Sequence, residues 1–458
     1  MNAISIVFLG ITSLALLLFP RRLAALPLLM GACYMTLAQG VSVGPFSFPV
    51  LRILVAVGLA RVLIRREHFS KGMNRLDWVM VLSGICAIGT SGFHTNPIFS
   101  FGLVYNTCGI YFLLRVWCHT IDDTVFLVQA TAFILIPVAL EMLVESLTQQ
   151  NMFAVLGGVP LMSEIREGRL RAQGPFLHSI LAGTVGAVCF PLMIGLWRIR
   201  RGTALVGVVA CLMMVVTSAS SGPVASVLAA IVGLLMWKWR EWLRVVRWSI
   251  VLVYIALDVV MKAPPYFLMA RIDLVGGSGG WHRAELIDSA SQHFGEWWLW
   301  GTDYTRHWMP TGVTWSVNHT DITNYYLHLG VTGGLPLMLA FIWSLVSAYS
   351  FVGRSVRHAQ LPENYRFMIW TLGAGLFAHT ASDISVSYFD QSFLFLYLNL
   401  AVIGSAYGSL AVAPVEHRTR ASGAAGRLAS RTAWPRRRPV QPRLGSGRSD
   451  GTNVPVRT

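Results

Sequence analysis

Apolar residues gather along this chain into blocks near 4–19, 23–38, 47–62, 78–92, 99–114, 122–144, 178–197, 203–217, 223–237, 248–262, 331–351, 366–382 and 391–410. A helix crossing hydrocarbon needs about 20 mostly apolar residues. The blocks approach that length, and short polar joints separate most of them. The pattern predicts an all-α polytopic membrane protein with about 12–13 transmembrane helices. Two joints break the rhythm, because 145–177 and 263–330 are long and polar. The first block has no Lys or Arg ahead of it and reads as a retained span rather than a cleaved signal peptide. No inverted repeat of the kind found in many secondary transporters is present.

Composition agrees, with 54% hydrophobic residues, 12% charged residues and a mean hydropathy of +0.57. Charge adds an orientation, since short loops rich in Arg and Lys stay cytoplasmic. Arg21 and Arg22, the group Arg61 to Arg75, Arg115, Arg198 to Arg201, Lys238 to Arg247, and Arg354 with Arg357 all fall on one side. The two long joints then share the opposite face, the periplasm or exterior of a bacterium, which points to a multi-pass protein of the bacterial inner membrane. The net charge of +15 resides largely in these loops and in an Arg-rich tail, so it does not call for nucleic acid. The domain reading is a membrane domain over 1–413 and a disordered basic cytoplasmic tail over 414–458, which suits a topology anchor beside anionic lipid. All six cysteines (Cys33, Cys86, Cys108, Cys118, Cys189 and Cys211) lie in or beside apolar blocks, with no CxxC pair. Neither a metal site nor a cofactor is expected.

Candidate chemistry sits in the two long joints. Arg166, Arg169 and Arg171 precede a span on the side where arginine is disfavoured. A guanidinium is a planar fork that matches phosphate oxygens bidentately; pairing with Glu164 and Glu167, or snorkelling to headgroups, is the alternative. The second joint carries Gly276, Gly277, Gly279 and Gly280 ahead of His282 and Arg283, and then Trp297, Trp298, Trp300, Trp308 and Trp315. Those rings offer faces to sugars or anchors to the membrane interface. Near its end lie His319 and Asp321. A histidine poised near neutrality can serve as a general base, with Asp321 orienting it or acting as the base itself. Ser220 and Ser221 mark a turn between spans and are weaker candidates for contacting an acceptor.

In this order the motifs resemble the O-antigen ligase and polymerase superfamily. Arg171 with Gly174 and Phe176, Arg283 with Trp300 and Gly301, and Asn324, Tyr326, Leu327, Gly330, Gly333 and Gly334 carry the likeness over about 145–345. The resemblance implies an integral membrane glycosyltransferase. It would move a glycan from a polyprenyl diphosphate carrier to a glycan or lipid-linked acceptor without nucleotide sugar or metal. Arg171 and Arg283, with Arg169, would hold the diphosphate, and Asn324, Tyr326 and Trp300 would serve the acceptor or the local structure. The chain departs from the pattern at Thr323, where the family often has His, so the base falls to His319 or Asp321. Polymerisation of exopolysaccharide or O-antigen repeat units is favoured, and ligation of a finished chain to lipid A core is the close alternative. Flippase and chain-length regulator proteins would be partners. From another class, a lipid-linked glycan transporter would use ionisable groups within the spans, for which Glu141 and Glu145 on one helix face are the candidates.

Overall fold

The computed structural model describes residues 1–271, 279–314 and 316–410. Every apolar block contains a helix. In chain order these are α1 (Ala3–Leu18), α2 (Leu26–Tyr34), α3 (Val50–Arg65), α4 (Arg75–Thr90), α5 (Pro97–Trp117), α6 (Ile121–Thr148), α7 (Ser179–Gly195), α8 (Arg201–Thr217), α9 (Ser221–Leu235) and α10 (Leu243–Val260). The second long joint contains α11 (Gly280–Gln292) and the short α12 (Phe294–Trp297), and α13 (Tyr325–Val356), α14 (Glu363–Ser382) and α15 (Phe393–Leu410) complete the set. Among the described residues, α4 with the turn that continues it to Phe93, α5, α6, α7 with the turn that continues it to Arg198, α13 and α15 are long and apolar enough to cross a membrane, and α1, α8 and α9 are shorter apolar helices. The chain is thus a helical, multi-pass membrane protein.

The block at 23–38 behaves differently from its hydropathy. Only nine of its residues are helical, about 14 Å of rise, and the chain then turns through an antiparallel hairpin, β1 (Gly40–Val43) and β2 (Phe46–Pro49). Two further hairpins lie in the long joints: β3 (Glu164–Arg166) with β4 (Arg169–Arg171), and β5 (Gly312–Val313) with β6 (Ser316–Thr320). The tail expected at 414–458 lies outside the described residues, as do Gly276, Gly277 and Trp315.

Polar contacts sort the helix ends into two groups. At one end Arg21 and Arg22 each lie 3.5 Å from Asp123, Arg198 pairs with Glu363 at 2.8 Å, and Arg61 pairs with Glu67 at 2.7 Å while also donating to the carbonyls of Leu16 and Phe19. Capping boxes built on Asn74 with Asp77 and on Thr120 with Asp123 start α4 and α6 there. Asp77 is fully buried, and a buried charge is tolerable only when its partners are complete. It accepts from Tyr111 Oη at 2.7 Å, from Arg115 Nε at 3.2 Å and from the Asn74 backbone. From Asp123, α6 rises to Glu145, about 33 Å away along its axis. That far end holds the long joints: the Asn2 side chain donates to the Val155 carbonyl, and His94 meets Asp303 at 2.7 Å. The basic joints therefore gather opposite the two long ones.

Within the bundle, α7 is the most enclosed span and α10 has no buried residue. An apolar helix left outside protein contact suits lipid. In α13 the helical backbone breaks at Gly333 and Gly334, and Gly334 adopts φ +70°. A Cβ there would meet the Leu299 carbonyl oxygen at 2.2 Å. The break lets the chain dock against 297–301, where Leu335 N donates to the Trp298 carbonyl at 2.7 Å.

Candidate functional site

At the end carrying the long joints, one cleft of about 450 Å³ draws on both. Its first wall is the β3–β4 hairpin. Glu167 and Gly168 form a two-residue turn with φ of 51° and 74°, the handedness that suits a tight hairpin. The register pairs Glu164 with Arg171, Ile165 with Leu170 and Arg166 with Arg169. Directly opposed residues project to the same side, so Glu164, Arg166, Arg169 and Arg171 share one face and Ile165 and Leu170 the other. The signal was available in the sequence as the alternation of charged and apolar residues about Glu167-Gly168, a period of two that the search for spans passes over.

Glu145, fully buried at the end of α6, clamps both ends of this hairpin. Its carboxylate accepts from Ser163 Oγ at 2.6 Å before β3, and from the backbone N–H groups of Gln173 at 3.1 Å and Gly174 at 2.8 Å after β4. Glu141 accepts from the Met152 N–H at 2.9 Å. Its other oxygen, Oε2, is buried without a partner.

Arg171 is 6% exposed. Its Nη1 pairs with Glu164 at 3.1 Å and its Nη2 donates to Ser220 Oγ at 2.8 Å, while Nε is buried without a partner. Burial, partly offset by Glu164, lowers its pKa, yet a guanidinium stays charged. Ser220 begins α9; its side chain is committed to Arg171 and the Ser218 carbonyl, so the first turn of α9 receives no side-chain cap. His178 begins α7, with Nδ1 accepting from the Ile180 N–H at 3.2 Å. Burial and then Arg171 keep its pKa below the ordinary value. The neutral ring therefore carries its proton on Nε2 and serves as a donor.

The second wall comes from α11 and the segments beside it. Arg283 lines the cleft and donates from Nε to the Ser385 carbonyl at 3.3 Å. Burial and then Arg166 lower its pKa. His282 Nε2 lies 2.9 Å from the Asp321 carbonyl oxygen. Donation to that oxygen leaves the lone pair on Nδ1, as a base requires. Thr311, Gly312, Asp321, Thr323 and the 385–389 segment also line the cleft, and Glu167 adds a second carboxylate.

The structure thus brings Arg166, Arg169, Arg171, Ser220, Arg283 and Asp321 to one cleft and adds His178 and His282. His319 lies elsewhere, on β6, with Nδ1 2.7 Å from Ser316 Oγ and a pKa held down by burial. Trp300 stacks on Phe93 with centroids 4.1 Å apart. Asn324 caps α13 by accepting from the Leu327 N–H, and Tyr326 donates to the Thr380 carbonyl at 3.2 Å. Trp297 and Trp308 are buried in a small core with Leu286, Ala290, Met309 and Val331. Those two rings pack the joint instead of offering faces to a sugar.

Four guanidiniums and the N-terminal turns of α7, α9 and α11 converge on the space. Helix N-termini carry partial positive charge and present N–H groups, so the arrangement suits a multiply charged anion. Fold and cleft together define a helical multi-pass membrane protein with a cationic cleft at one end of its bundle. No protein-family model, curated protein or solved structure matches the chain.

Proposed function

We propose that the chain is a glycosyltransferase of the bacterial inner membrane. In this reading it crosses about 12–13 times, its long joints face the periplasm or exterior, and it transfers a glycan from a polyprenyl diphosphate to an acceptor sugar. Polymerisation of exopolysaccharide or O-antigen repeat units is the favoured form. The observation that carries this reading is Arg171: nearly enclosed, with one unpaired guanidinium nitrogen, in a cleft rimmed by Arg166, Arg169 and Arg283. The cleft volume falls within the range of small-molecule sites, about 300–1,000 Å³.

The acceptor hydroxyl attacks the anomeric carbon while the bond from that carbon to the diphosphate oxygen breaks. The electron pair leaves with the diphosphate, where the arginines stabilise the growing charge. The hydroxyl proton passes to Asp321 or to His282 Nδ1, both in the cleft. No metal enters these steps.

Mass spectrometry of polyprenyl diphosphate-linked glycans tests this in cells lacking the protein, complemented with wild type or Arg283→Ala. Accumulated single repeat units support polymerisation. Accumulated long lipid-linked chains move the assignment to the ligase, and an unchanged lipid-linked pool rejects glycan transfer altogether.

A further inference from the structure

The second long joint holds a group of side chains that the cleft does not use. His293, Glu296 and His307 offer three potential donor atoms, all within 4.8 Å of one another. His293 precedes α12 and Glu296 lies within it, three residues on, about one helical turn, and His307 comes from the 306–308 turn. His307 Nε2 lies 3.1 Å from both carboxylate oxygens of Glu296.

We infer that His293, Glu296 and His307 form a binding site for a zinc-class divalent transition metal that staples the end of α11 to the 306–308 turn. Two imidazoles and one carboxylate suit Zn²⁺ and poorly suit Mg²⁺ or Ca²⁺, which prefer all-oxygen shells. Zinc bonds of about 2.0–2.2 Å place neighbouring donors about 3.4 Å apart in a tetrahedron, so the His307–Glu296 separation already suits the ion and only His293 has to close in.

The surroundings also match a metal site. His293 Nδ1 donates to the Ser289 carbonyl at 2.8 Å. Metal-binding histidines commonly donate their second N–H in this way, which leaves Nε2 with the lone pair. Trp308 Nε1 donates to Glu296 Oε2 at 3.1 Å, anchoring the carboxylate from behind, and Tyr304 stacks on His307 with centroids 4.8 Å apart. The other end of α11 carries His282 and Arg283, about 15 Å away along the axis. A metal here fixes the helix that presents them and takes no part in the chemistry.

The test uses the full-length protein purified in detergent without a histidine tag, stripped with a chelator and titrated with Zn²⁺ against a chromophoric competitor. One Zn²⁺ per chain is expected, undisturbed by Mg²⁺ and weakened more than about 100-fold in His293→Ala and His307→Ala, beyond the loss from removing a supporting partner. X-ray absorption of the zinc-loaded wild type reads the shell without any variant. Two imidazole nitrogens and a carboxylate oxygen are expected. A shell without imidazole, no uptake by the wild type, or affinity unchanged in the single variants overturns the inference. Because the readout is binding, it stands apart from the glycan assay.

Discussion

Replacing Arg171 with Ala separates a ligand-binding role from a structural one, because its present partners lose little. Ser220 Oγ keeps the Ser218 carbonyl at 2.8 Å, and Glu164, whose side chain is 52% exposed, returns to water. The cost to the fold is the packing of one side chain, about 1 kcal/mol. Function loses far more. A contact to a charged group contributes about 1.5–3 kcal/mol net, and a donor aimed at charge that develops in the transition state about 2.7–4 kcal/mol, or roughly 100- to 1,000-fold in turnover. Arg171→Lys keeps the charge without the fork. One ammonium cannot reproduce the paired Nη1 and Nη2 geometry while also offering Nε, so at least about a tenfold loss remains. The assay is the rate of glycan transfer by purified protein from a polyprenyl diphosphate donor, with thermal unfolding followed on the same samples. Wild-type turnover in Arg171→Ala, or a loss of activity that tracks unfolding, refutes the reasoning.

Two more predictions concern the same loop. In Glu145→Ala the backbone N–H groups of Gln173 and Gly174 lose their acceptor inside the protein, at about 1–3 kcal/mol each. Unfolding should shift down by several degrees and protease should cut the hairpin, whereas a wild-type melting profile would show that the clamp carries no weight. His178 is held below its ordinary pKa by burial and Arg171, against Glu164 and Asp321, which pull the other way, with Arg166 adding to the depression. The unfolded chain therefore binds the proton first, and the stability His178 contributes is complete above its unfolded pKa of about 6.5. It is lost as the pH falls from there through the folded pKa. His178→Asn retains a cap acceptor without titrating, so it should flatten the fall in melting temperature between about pH 7 and pH 5. An identical slope in wild type and variant would count against this account.

What the sequence determined alone was set by local chemistry. Every apolar block contains a helix, because backbone groups placed in hydrocarbon must be satisfied within their own segment. The sorting of basic and long joints to opposite ends followed from charge and span order. Asn324 was legible as a motif residue, and its observed work is a cap, which spacing alone can specify. The start of the block at 47–62 shows the limit: hydropathy counts apolar residues and does not see that 47–49 pair as β2 with β1.

Only the tertiary structure decided which side chains meet. His319 and His282 look equivalent along the chain, yet His282 hydrogen-bonds the Asp321 carbonyl in the wall of the cleft, while His319 sits on β6 beside Ser316. Trp297 and Trp300 belong to one aromatic run, and packing sends the first into a core and the second against Phe93. Arg171 reaches Ser220, 49 positions away, because Glu145 pins the hairpin that carries it. Contacts of that range depend on how helices stack, and stacking is settled by shape and hydrogen-bond completion across the whole bundle.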